Sequence, residues 1–299
     1  MQIALSISLV LALLGGCAAM WSWVGVQASL GRPAIPMWPR RPVPWNGWDL
    51  LVIAAIYFST VSVALWILSP RPPAGNTKPV QKAAVPAEKN EHYVIQLWRQ
   101  DPRSVTKLFS AIAAVIVAPI VEEFLFRLLL QGWLEKADRR LRRRLRALAP
   151  GALPVVTVAV FFAAMHYRGD QPDHDATMLI RALLGNAVAG LVTVALGVAW
   201  LRARWGTTLA DFGIEPRRLG RDFALGLAAF LAVAPPIYLL QMALVQWVSP
   251  GTADPISLFF FALALGFLYY RTHRIVPAIA LHMTLNATSL LFLLLGAPA

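Results

Sequence analysis

The sequence LFSAIAAVIVAPIVEEFLFRLLLQ, residues 108–131, decides the fold. It is long enough to cross a bilayer as a helix, because a span needs about 20 mostly apolar residues. Two adjacent carboxylates, Glu122 and Glu123, lie well inside it. Charged residues within such a segment are costly and by default mark a functional site. The segment therefore predicts a membrane helix that carries chemistry.

The rest of the chain has the composition of a membrane protein. Of its 299 residues, 58% are hydrophobic and only 14% are charged, against about 25% charged in soluble domains. Seven further apolar segments lie at residues 2–26, 49–69, 151–167, 178–201, 222–248, 257–270 and 275–297. Helices are expected, because a helix pairs its own backbone groups in lipid and the alternation typical of a barrel is missing. We predict an all-α polytopic transmembrane helix bundle of about eight spans.

The net charge of +12 is interpreted as an orientation signal. Most basic residues cluster in segments 27–48, 132–150, 202–221 and 271–274, which share one side if eight spans are assumed. The positive-inside rule makes that side cytoplasmic and places both termini outside. We expect no nucleic-acid partner, and the run Arg139–Arg146 also suits anionic lipid head groups. The single cysteine, Cys17, excludes a disulfide framework and a cysteine-cluster metal site.

A stretch rich in proline, alanine and lysine divides the chain. Residues 70–104 are predicted to form a linker, with prolines that favour irregular backbone. Residues 1–69 would form an N-terminal two-helix membrane segment, and residues 105–299 would hold the chemistry.

The carboxylates in residues 108–131 differ in their predicted surroundings. Glu123 and Arg127 are spaced i,i+4, so they share a helix face and can form an ion pair. Glu122 lies about 100° around the helix from Glu123. It is therefore left free for proton transfer.

Two histidines also fall in apolar helices. Phe162 shares a helix face with His166, and Asn286 shares one with His282. A glutamate with two histidines can either hold Zn²⁺ or activate water. An amide is a good donor to a developing oxyanion. His166 is expected near the outer end of its helix, whereas His282 and the glutamates fall in the cytoplasmic half.

The three motifs Glu-Glu-x-x-x-Arg, Phe-x-x-x-His and His-x-x-x-Asn, in this order on separate helices, resemble the CPBP intramembrane proteases. These are the CAAX-processing endopeptidases and their bacterial relatives, including bacteriocin-processing and immunity proteins. The resemblance implies a water-activating role for Glu122, with Glu123 as its partner and Arg127 as the brace of the pair. It also implies that His166 and His282 are the site histidines and that Asn286 is the amide near the oxyanion.

The resemblance implies an intramembrane endopeptidase of the metalloprotease type in a bacterial plasma membrane. Its expected substrate is a membrane-associated peptide or protein, either unmodified or lipidated as in CAAX substrates. Zn²⁺ held by His166 and His282 with Glu122, and water activated without a metal, both stay open. Relatives usually carry the second and third motifs close together, so residues 168–254 are interpreted as an inserted two-helix segment. A non-proteolytic immunity or scaffolding protein, and a proton-coupled transporter, are the alternatives.

Overall fold

The computed structural model describes residues 2–35, 37–38, 42–68, 93–101, 103–141, 150–167, 176–248 and 250–295. Within these residues the regular structure is helical and contains no strand, which confirms the predicted all-α fold. The first three helices are α1 (Gln2–Ser29), α2 (Gly47–Leu68) and α3 (Tyr93–Gln100). The last five are α7 (Ala152–Met165), α8 (Ala176–Trp205), α9 (Leu219–Leu244), α10 (Pro250–Thr272) and α11 (Ile275–Leu294).

Between α3 and α7 lies one helical rod that contains two π-helical segments. Its parts are α4 (Ser104–Ile112), a first π segment (Ala113–Val117), α5 (Ala118–Glu122), a second π segment (Glu123–Gln131) and α6 (Gly132–Leu141). A π segment bonds each N–H to the carbonyl five residues earlier, and such segments occur frequently at functional sites. Both glutamates lie where α5 meets the second π segment.

Seven helices in the described part of the chain are long and apolar enough to cross a membrane. They are Gln2–Ser29, Gly47–Leu68, Ser104–Arg139, Ala176–Trp205, Pro216–Leu244, Ala253–Thr272 and Ile275–Leu294. The eighth predicted span is α7, an apolar helix of 14 residues. At 1.5 Å per residue it is about 21 Å long, which is less than the roughly 30 Å of a hydrocarbon core. The chain is therefore a multi-pass membrane protein in which α7 is shorter than a full span.

Most of the packing in the bundle is between helices that are not consecutive in the sequence. Helix α2 packs on α8, α7 packs on α10, and α9 packs on α11 and α1. Small residues permit this closeness, as in other membrane bundles. A Cβ atom at Gly190 of α8, for example, would lie 2.8 Å from Val121 of the rod.

The loop before α2 and the start of that helix are fixed by buried polar contacts. Asp49 is fully buried and accepts hydrogen bonds from the indoles of Trp200 and Trp205, each at 3.0 Å. Arg204 Nε lies 3.0 Å from the same carboxylate. Trp45, also fully buried, donates to the carbonyl of Leu129 in the second π segment. These contacts attach α2 and the loop before it to α8 and to the rod.

Part of the predicted linker is helical. Residues 93–100 form α3, because Val94 and Leu97 bury one apolar face and Trp98 donates to Ser110 Oγ at 2.6 Å. Residues 69–92 of the linker lie outside the described residues, as does the predicted lipid-binding run from residue 142 onward.

Candidate active site

The two adjacent glutamates project into different surroundings. Glu123 is fully buried, whereas the side chain of Glu122 is 24% exposed. Successive side chains on a helix diverge by about 100°. Glu123 therefore faces the interior of the bundle, and Glu122 faces a partly open cleft.

Two imidazoles from separate helices converge on Glu122. His166, the residue that ends α7, places its Nε2 atom 3.9 Å from Glu122 Oε2. His282 of α11 places its Nε2 atom 3.8 Å from the same oxygen. Glu122 Oε2 is buried and has no hydrogen-bond partner among the described residues. A buried carboxylate oxygen without a partner, with two imidazole nitrogens 3.8 and 3.9 Å away, suits a water molecule that hydrogen-bonds to the carboxylate and to an imidazole.

The opposite nitrogen of each ring is already occupied. His166 Nδ1 lies 2.7 Å from the carbonyl oxygen of Phe162, and His282 Nδ1 lies 2.9 Å from Glu123 Oε1. A carbonyl oxygen can only accept, so His166 Nδ1 carries the proton and donates it. An ionised Glu123 requires the same of His282. In the neutral rings both Nε2 atoms then present a lone pair towards Glu122.

Helix α7 brings His166 to this depth because it is short. The sequence places His166 near the outer end of a full span, whereas the glutamates and His282 fall in the cytoplasmic half. A helix of about 21 Å ends before it has crossed the hydrocarbon core. His166 can therefore meet Glu122 and His282 inside the bundle.

Arg127 and Phe162 contact the cluster formed by Glu122, Glu123, His166 and His282. Arg127 is fully buried, and its Nε atom lies 3.2 Å from Glu123 Oε2. Its guanidinium carbon lies 5.1 Å from the centre of the Phe162 ring, a cation–π distance. The Phe162 ring also contacts the rings of His166 and His282, with centroid distances of 4.5 and 5.9 Å. The predicted i,i+4 pair is thus present, and one aromatic ring links it to both histidines.

Asn286 hydrogen-bonds to the rod and not to this cluster. Its Nδ2 atom donates to the carbonyl oxygen of Ala114 at 2.8 Å, in the first π segment. Within the described residues, no hydrogen bond joins Asn286 to Glu122, His166 or His282. The structure therefore brings together Glu122, Glu123, Arg127, Phe162, His166 and His282, whereas the predicted oxyanion role of Asn286 stays a prediction.

Two contacts of the site were not predicted from the sequence. Phe261 of α10 packs edge-on against the His282 ring, at a centroid distance of 5.2 Å. The run Phe259-Phe260-Phe261 does not show which ring faces the histidine. The second contact is the Ala114 carbonyl, for which Pro119 was an available clue, since proline leaves a carbonyl of the preceding turn unpaired.

The donor set is chemically suited to Zn²⁺, and its spacing is a few tenths of an ångström wider than in a tetrahedral zinc site. Two imidazole nitrogens and a carboxylate are common zinc ligands. Ligands of a tetrahedral zinc lie about 3.4 Å apart, whereas the histidine nitrogens lie 3.8 and 3.9 Å from Glu122 Oε2. Across the described ranges, no three His, Cys, Asp or Glu residues are arranged to hold a metal ion. The zinc site predicted at His166, His282 and Glu122 therefore stays a prediction.

Comparison with known families agrees with the motifs. The family model described as type II CAAX prenyl endopeptidase Rce1-like matches residues 104–214 and 217–288. The match covers more than half of the chain and confirms the family predicted from the three motifs. It also runs through α8 and α9, the helices of the predicted insertion. No curated protein and no solved structure matches the chain.

Proposed function

Because the chain belongs to the type II CAAX prenyl endopeptidase Rce1-like family, we propose that it hydrolyses a peptide bond of a membrane-associated protein by means of water activated by Glu122. The observation that carries this proposal is the convergence of Glu122 Oε2 and two imidazole Nε2 atoms from α7 and α11. A single water molecule can hydrogen-bond to a carboxylate and an imidazole that are separated by 3.8 to 3.9 Å.

In the proposed reaction, Glu122 acts first as a base and then as an acid. It removes one proton from the bound water while the water oxygen forms a bond to the carbonyl carbon of the scissile peptide. His166 accepts the other O–H of the water and so orients its lone pair. When the C–N bond of the tetrahedral intermediate breaks, Glu122 returns the proton to the leaving nitrogen.

Negative charge develops on the carbonyl oxygen during the attack. A protonated His282 can donate from Nε2 to this oxygen while Glu123 stabilises the positive ring through Nδ1. The amide of Asn286 has a second N–H beyond the one that binds Ala114, and it is the other candidate donor. Arg127, with its Nε atom 3.2 Å from Glu123 Oε2, places an opposite charge beside that carboxylate.

The exposed edge of the cluster indicates how a substrate approaches. The side chains of Glu122 and His166 are 24% and 27% exposed, whereas those of Glu123 and His282 are almost completely buried. Met165 and Tyr167 flank His166 and are both well exposed. An apolar rim next to the reactive groups suits a substrate held at the membrane, including one with a lipid anchor. We place this activity in a bacterial plasma membrane, in agreement with the clustered arginines.

Cleavage of a membrane peptide by the purified protein tests the proposal. Wild-type protein in proteoliposomes is incubated with a set of prenylated and unmodified CAAX-type peptides, and products are identified by mass spectrometry. Glu122→Gln is expected to lower kcat/KM by about 10²- to 10⁴-fold, as is usual on removal of a general base. His166→Ala and His282→Ala are expected to lower it as well.

Glu215→Gln serves as the matched control, because it removes a carboxylate that pairs with Arg274 and lies outside the cluster. Equal activity in wild type and Glu122→Gln would refute the assignment of the site. An absence of cleavage for every peptide would instead favour an immunity or scaffolding role on the same fold.

Metal analysis decides between the two schemes that the sequence leaves open. We expect the active protein to contain less than one zinc per chain and to keep its activity after treatment with a chelator. One zinc per chain, with activity lost on chelation and restored by Zn²⁺, would show that His166, His282 and Glu122 contract around a metal.

A further inference from the structure

The rod that carries the glutamates contains a carbonyl that its own helix cannot pair. In the first π segment, the N–H of Ala118 bonds to the carbonyl of Ala113, five residues earlier. In that register the next donor, for the carbonyl of Ala114, would be the nitrogen of residue 119. Residue 119 is a proline and has no N–H. The Ala114 carbonyl therefore needs a donor from elsewhere, because an unpaired backbone group inside a membrane is costly.

Asn286 supplies that donor from the helix that also carries His282. Its Nδ2 atom lies 2.8 Å from Ala114 O. One turn earlier on the same face of α11, His282 Nδ1 lies 2.9 Å from Glu123 Oε1. Helix α11 thus bonds to the rod on both sides of Glu122, once before it and once after it. The two hydrogen bonds together fix the position of Glu122 relative to the His282 ring.

We propose that Asn286 is a positioning residue, which replaces the backbone hydrogen bond that Pro119 removes and so holds the first π segment in register. This inference rests on the proposed function, because its effect on catalysis acts through Glu122. Without the amide, the Ala114 carbonyl has no hydrogen-bond donor. The rod can avoid this cost if the first π segment changes from the π to the α hydrogen-bonding register. This change rotates every later residue, including Glu122, away from the two Nε2 atoms.

A double-mutant cycle between Asn286 and Pro119 tests the proposal. Pro119→Ala gives residue 119 an N–H that can bond to Ala114 O in the π register. Asn286→Ala is expected to lower kcat by about 10²-fold in the wild-type background, with KM changed by no more than about twofold. In the Pro119→Ala background the loss caused by the same substitution is expected to be smaller by about fivefold or more, because the carbonyl then has a backbone donor. An equal loss in both backgrounds would show that Asn286 acts only as an oxyanion donor and would overturn the proposal.

Thermal stability gives a second test that does not require activity. In the inactive Glu122→Gln background, Asn286→Ala is expected to lower Tm, and adding Pro119→Ala is expected to restore part of the loss. An unchanged Tm would contradict the bridging role even if no peptide is cleaved, so the failure of this inference is distinguishable from the failure of the proposed function. Thr284→Val is the control, because Thr284 Oγ1 donates only within α11, to Ala280 O. Its effect on Tm is expected to be the same with and without the Pro119→Ala substitution.

Discussion

At the scale of single residues, the buried charge of Arg127 is important for stability. Its side chain is fully buried beside Glu123, and among the described residues none of its three nitrogens has a hydrogen-bond partner. Its contribution is therefore mainly the opposite charge, 3.2 Å from Glu123 Oε2. Removing one member of a buried pair leaves the other charge uncompensated, which usually costs about 3–5 kcal/mol.

We therefore expect Arg127→Leu to lower the free energy of unfolding by about 3–5 kcal/mol, measured by denaturation in detergent micelles. The double variant Glu123→Gln with Arg127→Leu should recover much of this loss, because no buried charge is left alone. Its activity should stay low, since an amide cannot support a protonated His282 as a carboxylate does. If Arg127→Leu alone is as stable as wild type, the pair does not stabilise the bundle.

The sequence predicted which residues form the cluster, but not all of their contacts. Only two carboxylates and two histidines lie deep in the predicted apolar segments. Because charged and titratable residues are costly there, a single shared site was the simplest explanation for all four. Pro119 indicates that a carbonyl of the preceding turn lacks a backbone donor, but an ordinary α-helix would leave the Val115 carbonyl unpaired. That the unpaired carbonyl is Ala114, and that Asn286 pairs with it, depends on the π register of the packed bundle. Likewise, the convergence of His166 with Glu122 depends on where α7 ends.

At the scale of helices, the contact between α9 and α11 sets the position of His282. A Cβ atom at Gly226 of α9 would lie 2.6 Å from Ala280 Cβ and 2.6 Å from the Pro277 carbonyl oxygen. The second neighbour is backbone and cannot rotate away. Ala280 and Pro277 both lie within the two turns of α11 that end at His282, so the spacing between the helices is coupled to the site.

Gly226→Ala is therefore expected to destabilise the protein by about 1–3 kcal/mol, the usual cost of overpacking. Gly220→Ala provides the matched control in the same helix, because a Cβ atom there has no neighbour within 4 Å. Since alanine favours a helix over glycine, the control should be neutral or stabilising by up to about 1 kcal/mol. Equal effects of the two variants in thermal unfolding would contradict the tight α9–α11 contact.

Hydropathy was enough to predict that the long helices exist, but not which helices pack against each other. Each of the seven long apolar helices overlaps a segment that was predicted as a span from its hydropathy. The pairing of α2 with α8 and of α1 with α9 depends on the fit of small and large side chains, which hydropathy does not record. Helix α3 was missed because its eight residues fall within residues 70–104, which were interpreted as one linker.

At the scale of the whole molecule, the orientation in the membrane is a prediction that labelling can test. Cys17 is the only cysteine, so Cys17→Ala provides a cysteine-free background. Ala203, which is exposed near the end of α8, is predicted to be cytoplasmic, and Trp247, which is 87% exposed after α9, is predicted to be outside.

With a membrane-impermeant maleimide, Trp247→Cys should be labelled in right-side-out vesicles and Ala203→Cys only in inverted ones. The reverse labelling pattern would show that the protein has the opposite orientation to the one predicted. Labelling of both sites in the same vesicles would contradict the predicted number of crossings between them.

The prolines of α9 have a consequence for how the protein is made. Pro236 cannot donate to the carbonyl of Ala232, which instead accepts a hydrogen bond from the Trp21 indole at 3.1 Å. Trp21 is synthesised 211 residues before Ala232. At roughly 5–20 residues per second, α1 waits about 10–40 s in the membrane before its partner emerges from the ribosome. Helix α1 thus docks on α9 only well after its own insertion, and until then its tryptophan faces lipid or the insertion machinery.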